Sequence, residues 1–490
     1  MKPPSADLRQ PGAVLLVSCY ELGRQPQALA SPLAFLERAG FRPAALDLAL
    51  DSLDTEKVAR ARFVGISVPM HTALRLGTRV ARRIRALNPQ AFLCFYGHYA
   101  VLHAEPLLAD LADAVLGGEL EEKLVALVEA VERGETHLHG AAAPAPGRGA
   151  HSRAPASARV GDAPRPSLAA VALERLEFPV PSRSQLPGMQ RYAHLLHQGR
   201  HVVAGQVEAS RGCLHHCRHC PIPAVYDGKI FIVPVATVLE DCRHQVAAGA
   251  GHISFGDADF LNGPTHALRV TRALHAEFPE ITFDYTAKVE HVLRHRAVVH
   301  ELGQLGAIFM VSAVETLSDR VLAILDKGHT RADVTTALEI LRDAGIAMRP
   351  SLLPFTPWST RADFLELLDF VEEEDLVDAI DPVQYTIRLL VPPGSLLLQR
   401  PEMQPFLEGF DAEALTYVWS HPDPRMDRLQ RELAALVEQA TSANEDQRLT
   451  FSRIRALVQP DREAQARHAT AASRLRPHER PPRITEPWFC

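Results

Sequence analysis

Long apolar runs are missing from this 490-residue chain. No stretch reaches the roughly 18 apolar residues of a membrane span, and the N-terminal "AVLLVS" is too short for a secretory h-region. A cytoplasmic chain with no membrane partner is therefore expected. An excess of positive charge is missing too: 52 basic and 59 acidic residues are mixed along the chain, for a formal net charge of -7. That leaves no electrostatic footprint for a nucleic-acid backbone, and a small-molecule substrate is expected instead. Cysteine is scarce and odd in number, seven in all, with three of them inside eight residues. Such usage argues against a secreted disulfide framework and for metal or redox chemistry in a reducing compartment. What the chain does have is apolar content, 47%, enough for a sizeable core, and a length that suggests about three domains.

Short apolar runs alternate with amphipathic helical stretches. "AVLLVS", "AALDLAL", "FVGISV", "AFLCFYG" and "DAVLGG" read as buried strands, with helices such as "QALASPLAFLERAGF", stopped at Gly40, between them. Continuous apolar strands separated by helices predict a parallel, doubly wound, Rossmann-like domain over residues 12–134. Residues 135–168, rich in Ala, Pro, Gly and Arg without apolar periodicity, read as a flexible linker. A second series follows over 169–398, with strands at "HVVAGQVEAS", "HISFGD", "ITFDYTA", "AIFMVSA", "IAMRPSLL" and "VQYTIRLL". Six β/α steps predict a partial (β/α)6 barrel, whose chemistry collects at the C-terminal ends of the strands. Residues 399–490 read as a helical extension ending in a basic, Pro-rich tail.

The segment "RGCLHHCRHC" follows the first barrel strand and holds Cys213, Cys217 and Cys220. Three readings compete. A structural zinc site could recruit His215, His216 or His219 as a fourth ligand, but the chain has no second knuckle to complete a typical pair. A redox C-x-x-C of Cys217 and Cys220 leaves Cys213 without a role. A cubane iron-sulfur cluster on three thiolates leaves one iron open, and an open position separates a catalytic metal from a structural one. Cys19, Cys94 and Cys242 lie in apolar or helical stretches and read as buried small hydrophobes.

C-x-x-x-C-x-x-C in a loop after the first strand of such a series resembles the radical S-adenosylmethionine (SAM) superfamily, over residues 170 to about 395. The resemblance implies a 4Fe-4S cluster on Cys213, Cys217 and Cys220, SAM chelated by the open iron, and an electron donor such as flavodoxin or ferredoxin. It also implies roles for single residues. His219 occupies a position that is usually aromatic and packs near the adenine. Gly256, Asp257 and Asp259 of "SFGDAD" match the segment that binds the methionyl amino group. Glu315 of "SAVETLSDRVLAILDKGHT" matches a strand-end glutamate near the ribose or methionyl group, and Lys288 and Arg349 are further strand-end candidates. The structural alternative for each is an N-cap or a salt bridge of the barrel core, Asp257 in particular standing before a helix.

A doubly wound domain ahead of such a barrel resembles the cobalamin-binding domain found in that superfamily. Ser67 of "VGISVPMHTAL", Gly97 of "FYGHYA" and Gly118 of "VLGGELEEKL" occupy its matching positions. The D-x-H-x-x-G motif that supplies a histidine to cobalt is absent, the first loop reading "CYELGRQP". The resemblance thus implies cobalamin without that ligand, with His71 and His98 as loop histidines; the alternative is a degenerate domain that holds no corrinoid. The segments "GDADFLNGP", "LDKGHT", "PFTPWST" and "DPVQYTIRLLVPPGS" resemble the radical SAM group with a C-terminal Cys-Cys-Ala-Glu-Pro tail, whose second cysteine can be selenocysteine. The terminal "RITEPWFC" ends on Cys490 where that tail would begin, which suggests a selenocysteine codon read as stop. Soft tail ligands suit a thiophilic substrate such as arsenite. Cobalamin-linked methyl or radical transfer is therefore the leading expectation. Transfer of the 3-amino-3-carboxypropyl group to arsenic with Cys490 as a catalytic thiol, and a non-catalytic iron-sulfur redox sensor, are the alternatives.

Overall fold

The computed structural model describes residues 7–135, 168–459 and 480–486, which divide into two compact units. The first unit is built on β1 (Val14–Ser18), β2 (Ala44–Asp47), β3 (Phe63–Ser67), β4 (Phe92–Tyr96), β5 (Ala114–Gly118) and β6 (Leu168–Ala172). All pairings are parallel, in the order β2-β1-β3-β4-β5-β6. Every residue of β1, β3 and β5 is buried, which is why these strands read as unbroken apolar runs. The helix Gln27–Arg38 ends where the sequence places its stop: Ala39 is the C-cap, and Gly40 takes φ +84°. Strand order reverses between β1 and β3, so the ligand crevice of such a sheet opens at the carboxyl ends of those strands.

Strand β6 corrects the boundary drawn at residue 168. "LAAVA" pairs with β5 from Ala114↔Leu168 to Gly118↔Ala172, and the first unit runs on to Pro187. The run is short and alanine-rich, so it blends into the preceding composition. The linker expected over 135–168 falls, except for its end residues, outside the described residues. Strand β6 also explains Gly118, which has φ +73° and would place a Cβ 2.0 Å from the Ala172 carbonyl oxygen. Gly118→Ala is expected to destabilise the first unit by roughly 2–3 kcal/mol through backbone strain and loss of β6 pairing. A thermal midpoint equal to that of the parent protein would contradict this.

The second unit is built on β7 (His194–His197), β8 (Arg200–Val207), β9 (Ser210–Gly212), β10 (Ile230–Ile232), β11 (His252–Phe255), β12 (Thr282–Thr286), β13 (Ala307–Glu315), β14 (Ala347–Leu352), β15 (Leu407–Asp411), β16 (Thr416–Trp419) and β17 (Arg483–Ile484). Its main sheet runs β14-β13-β12-β11-β8-β7-β17. Strands β8, β11, β12, β13 and β14 are parallel, and β7 and β17 close one edge antiparallel. The β7–β8 turn uses Gln198 and Gly199, both at positive φ, as a two-residue hairpin requires. Helices follow the parallel strands, and capping boxes at Thr330/Asp333 and Thr360/Asp363 start two of them.

Two expectations are corrected here. The sixth strand at "VQYTIRLL" is a 3-10 turn, Pro382–Thr386, followed by one parallel bridge, Phe355↔Arg388. Pro382 has no N–H for a ladder, and the chain recovers only a short contact in which Phe355 N bonds Ile387 O and Leu389 N bonds Phe355 O. The barrel is thus a half-barrel of five parallel strands. The C-terminal extension is not wholly helical: the antiparallel hairpin β15–β16 precedes the helices Pro424–Ser442 and Gln447–Val458.

Candidate cluster and S-adenosylmethionine site

Residues 213–220 leave β9 and return through the short helix Ile222–Tyr226 to β10, which pairs antiparallel with β9. Gly212, just before Cys213, has φ +77°, and a Cβ there would lie 2.3 Å from the Lys229 carbonyl oxygen, so only glycine lets the two limbs of this loop cross. The loop is gripped from several sides. Buried Asp257, after β11, accepts from Ala209 N at 3.0 Å and from Ser210 Oγ at 2.5 Å. Asn262 Oδ1 accepts from Leu214 N at 3.3 Å, and Leu325 O accepts from Arg218 N at 2.9 Å. The Arg218 guanidinium also donates to Ile324 O at 2.8 Å, and Ser395 Oγ to Arg218 O at 3.3 Å. Both oxygens of Asp257 are thus taken by Ala209 and Ser210 at the start of β9, in neither a helix cap nor a salt bridge; the cap falls to Asp259.

Cys213, Cys217 and Cys220 are free thiols in the described structure. Burial pushes the Cys220 thiol up to about 12, and the neighbouring Cys217 and Cys213 add to that; burial likewise raises Cys213, with a contribution from Cys217. Thiols close enough to oppose one another's ionisation, in a pocket that suppresses it anyway, become thiolates when a metal takes them up. This donor set therefore fits a cluster held by three sulfurs. Cys19, Cys94 and Cys242 are buried, as the sequence suggests.

Glu315 ends β13 at φ +66°, an unusual conformation for a glutamate, beside a register shift between Ala313 and Glu315. Its Oε1 accepts from His219 Nε2 at 3.0 Å and from Lys327 Nζ at 3.1 Å. Burial alone would raise this carboxyl, but the Lys327 ammonium and His219 override it and hold Glu315 well below the usual carboxylate range. The cysteine loop is thereby tied to the end of β13 through His219, whose imidazole serves as a donor to Glu315 in addition to any stacking role. Lys327 is a site residue that sequence reasoning passed over although "LDKGHT" contains it. It is 3% exposed, and its charge favours the thiolate of Cys220.

Asp259 Oδ1 accepts from Leu261 N at 2.9 Å and Oδ2 from Lys288 N at 3.2 Å. Lys288 Nζ lies 3.0 Å from His215 Nδ1 and 3.4 Å from Glu290 Oε2. Gly256 packs against the Gln206 amide at the end of β11. Arg349 is drawn elsewhere: its guanidinium bonds Asp381 Oδ2 at 2.9 Å. In the first unit Ser67 closes β3, Gly97 follows β4 at φ +112°, and Gly118 closes β5, so all three stand at the carboxyl edge of the sheet. Cys490 lies outside the described residues.

His329, which faces Val314 O at 3.4 Å, is lowered to about 4, first by burial and then by the Lys327 charge. Its folded value lies below its unfolded value of 6.5, so its contribution to stability is complete above pH 6.5 and is lost as pH falls toward 4. Between pH 7 and 5 this group is expected to remove about 2 kcal/mol, and His329→Gln to flatten that dependence. Thermal midpoints at the two pH values check it; an equal drop in parent and variant would contradict the assignment.

The second unit is thus a parallel half-barrel with three cysteines on the loop after its first strand. Residues 207–371 match the family model described as the Radical SAM superfamily. It is 25% identical over 183 residues to a putative methylthiotransferase of Methanocaldococcus jannaschii, covering 35% of this chain and 40% of that protein. It is 23% identical over 283 residues to the hopanoid C-3 methylase of Methylococcus capsulatus, covering 57% of this chain and 50% of that one. The chain thus spans at most about half the length of these relatives. The cobalamin-dependent SAM radical enzyme OxsB, solved with aqua-cobalamin and SAM bound, shares the fold at a TM-score of 0.65 and 14% identity, covering 94% of this chain and 74% of that one. Among the described residues no helix is long and apolar enough to cross a membrane.

Proposed function

We propose that this chain is a transferase that cleaves SAM reductively and passes a methyl group or a radical to a small molecule, with a corrinoid held by the first unit. The observation that carries this is the cysteine loop itself: three cysteines between β9 and the helix Ile222–Tyr226, at the end of the first parallel strand region, held by Asn262 and Arg218. Cys213, Cys217 and Cys220 would hold a 4Fe-4S cluster, leaving one iron for the amino and carboxylate groups of SAM. When bound, the cluster supplies the electron that breaks a carbon-sulfur bond, and the corrinoid supplies a methyl carrier. The protein's own contribution is positional. Glu315, fixed as a carboxylate by Lys327 and His219, presents an ionised acceptor beside the cysteine loop, and Lys288 presents an ammonium from the end of β12. Ser67, Gly97 and Gly118 stand at the carboxyl edge of the first sheet, the edge at which the corrinoid would bind. The first loop offers no histidine in the cobalt-ligating motif, so the corrinoid would lack that ligand. The electron would come from a flavodoxin or ferredoxin in a cytoplasmic setting.

The test is anaerobic reconstitution followed by dithionite and SAM, with identification of the nucleoside released. S-adenosylhomocysteine together with 5′-deoxyadenosine is expected for radical methylation, and 5′-deoxyadenosine alone for radical transfer without methylation. Methylthioadenosine would overturn this reading in favour of 3-amino-3-carboxypropyl transfer to a soft acceptor such as arsenite. No nucleoside at all would leave only the redox-sensor reading.

A further inference from the structure

His215 lies between Cys213 and Cys217 in sequence, yet its imidazole turns toward the helix after β12. Its Nε2 stands 3.1 Å from Nε2 of His291, 76 positions away in the chain. The ring centroids are 4.7 Å apart and the planes tilted by 56°, closer than two imidazoles meeting end to end through a straight N–H···N bond would stand. The pair is therefore bent rather than in line. The third member is Asp259, which is 1% exposed and has Oδ2 2.9 Å from His291 Nδ1. That contact is out of line, and the buried Nδ1 of His291 makes no hydrogen bond. One ligand atom from each of His215, Asp259 and His291 lies within 4.8 Å of the others.

We propose that His215, His291 and Asp259 bind one divalent first-row transition ion, zinc or ferrous iron, beside the cysteine triplet and separate from it. Two histidines with one carboxylate are a donor set for either ion, and three protein ligands leave at least one position open for a water or a substrate oxygen. His215 meets Nε2 of His291 and Asp259 meets Nδ1, and one ring gives an ion one nitrogen, so the ion draws the three side chains together from the 4.8 Å that already gathers one donor atom of each. A second layer is in place: Glu290 Oε2 lies 3.8 Å from His215 Nδ1 and 3.4 Å from Lys288 Nζ. Without the ion, Lys288 donates to Nδ1 and the ring carries its proton on Nε2. With an ion on Nε2, the ring proton would move to Nδ1 toward Glu290, and Lys288 would give up its contact with Nδ1 and keep its pairing with Glu290. Carboxylate-backed histidines of this kind orient metal ligands in general.

The ion can be counted apart from the cluster. The full chain with Cys213, Cys217 and Cys220 all replaced by Ala, stripped with chelator and titrated with Co2+ alone, is expected to bind one ion per chain with visible d–d absorbance. His291→Ala in that background is expected to weaken binding at least about 100-fold. Elemental analysis of the reconstituted parent protein is expected to find one zinc or iron beyond the cluster, lost in His291→Ala while the cluster absorbance remains. The proposal is overturned if the parent holds no ion beyond the cluster, or if His291→Ala keeps it. A cluster that fails to form while the triple variant still binds one Co2+ would sink the reading of the cysteines and leave this site standing.

Discussion

Cys217→Ala is expected to lose the cluster's visible absorbance on reconstitution and to reduce SAM-derived nucleoside release by at least about a thousandfold. Cys217 is 7% exposed and sits between its two partners in sequence, and its backbone carbonyl accepts from Cys220 N at 3.2 Å. Among the described residues, Cys19, Cys94 and Cys242 are buried, in or beside β1, β4 and the helix Val235–Ala247. None can substitute without refolding the chain around it. A two-thiolate site would hold a cubane poorly and would leave SAM without a stable seat. Cys242→Ala is the matched control and is expected to keep both cluster and turnover. Parent-like cluster and turnover in Cys217→Ala would contradict the assignment, and loss in both variants would point to folding rather than ligation.

Lys327→Met is expected to destabilise the second unit by about 3–5 kcal/mol, because it leaves the Glu315 carboxylate buried with only His219 to face it. Lys327 and Glu315 are 3% and 6% exposed, so water cannot replace the missing partner. Removing both charges, in Lys327→Met with Glu315→Gln, is expected to recover part of the loss, since the cost lies in the unpaired charge rather than in the missing attraction. The double-mutant cycle in thermal and denaturant unfolding checks this. If the single and double variants are equally unstable, the pair acts through packing alone. The loop has its own stake in the pair, because His219 reaches Glu315 from the residue before Cys220. Lys327→Met is therefore expected to lower cluster occupancy as well, read as iron per chain after reconstitution.

The fold was legible where burial is two-sided. Strands β1, β3, β4, β5, β11, β12 and β14 all lie within short apolar runs, β13 begins in one and runs on to Glu315, and the spacing of Cys213, Cys217 and Cys220 points to a metal loop on its own. Legibility failed where local pattern and tertiary role diverge. Strand β6 is five residues of small apolar side chains following a composition that buries nothing. "VQYTIRLL" has the apolar character of a strand, but Pro382 withdraws a donor where the ladder should begin. The β15–β16 hairpin, "LEGFD" and "TYVW", is largely exposed and carries no period. In the site, Asp257 and Asp259 were found, but not what they do: Asp257 holds the start of β9, and Asp259 faces His291. The pairings His215–His291 and Glu315–Lys327 join residues that no sequence periodicity connects, and only the closing of the half-barrel brings the first pair together.

The central claim is that the cysteine loop holds a cluster with one iron left open for SAM. Electron paramagnetic resonance of the reduced, reconstituted protein tests it most directly, recorded before and after SAM is added. The expected result is the signal of a reduced 4Fe-4S cluster whose g values shift when SAM binds. A signal indifferent to SAM, or a protein that takes up zinc on these cysteines and no iron-sulfur cluster, would contradict it.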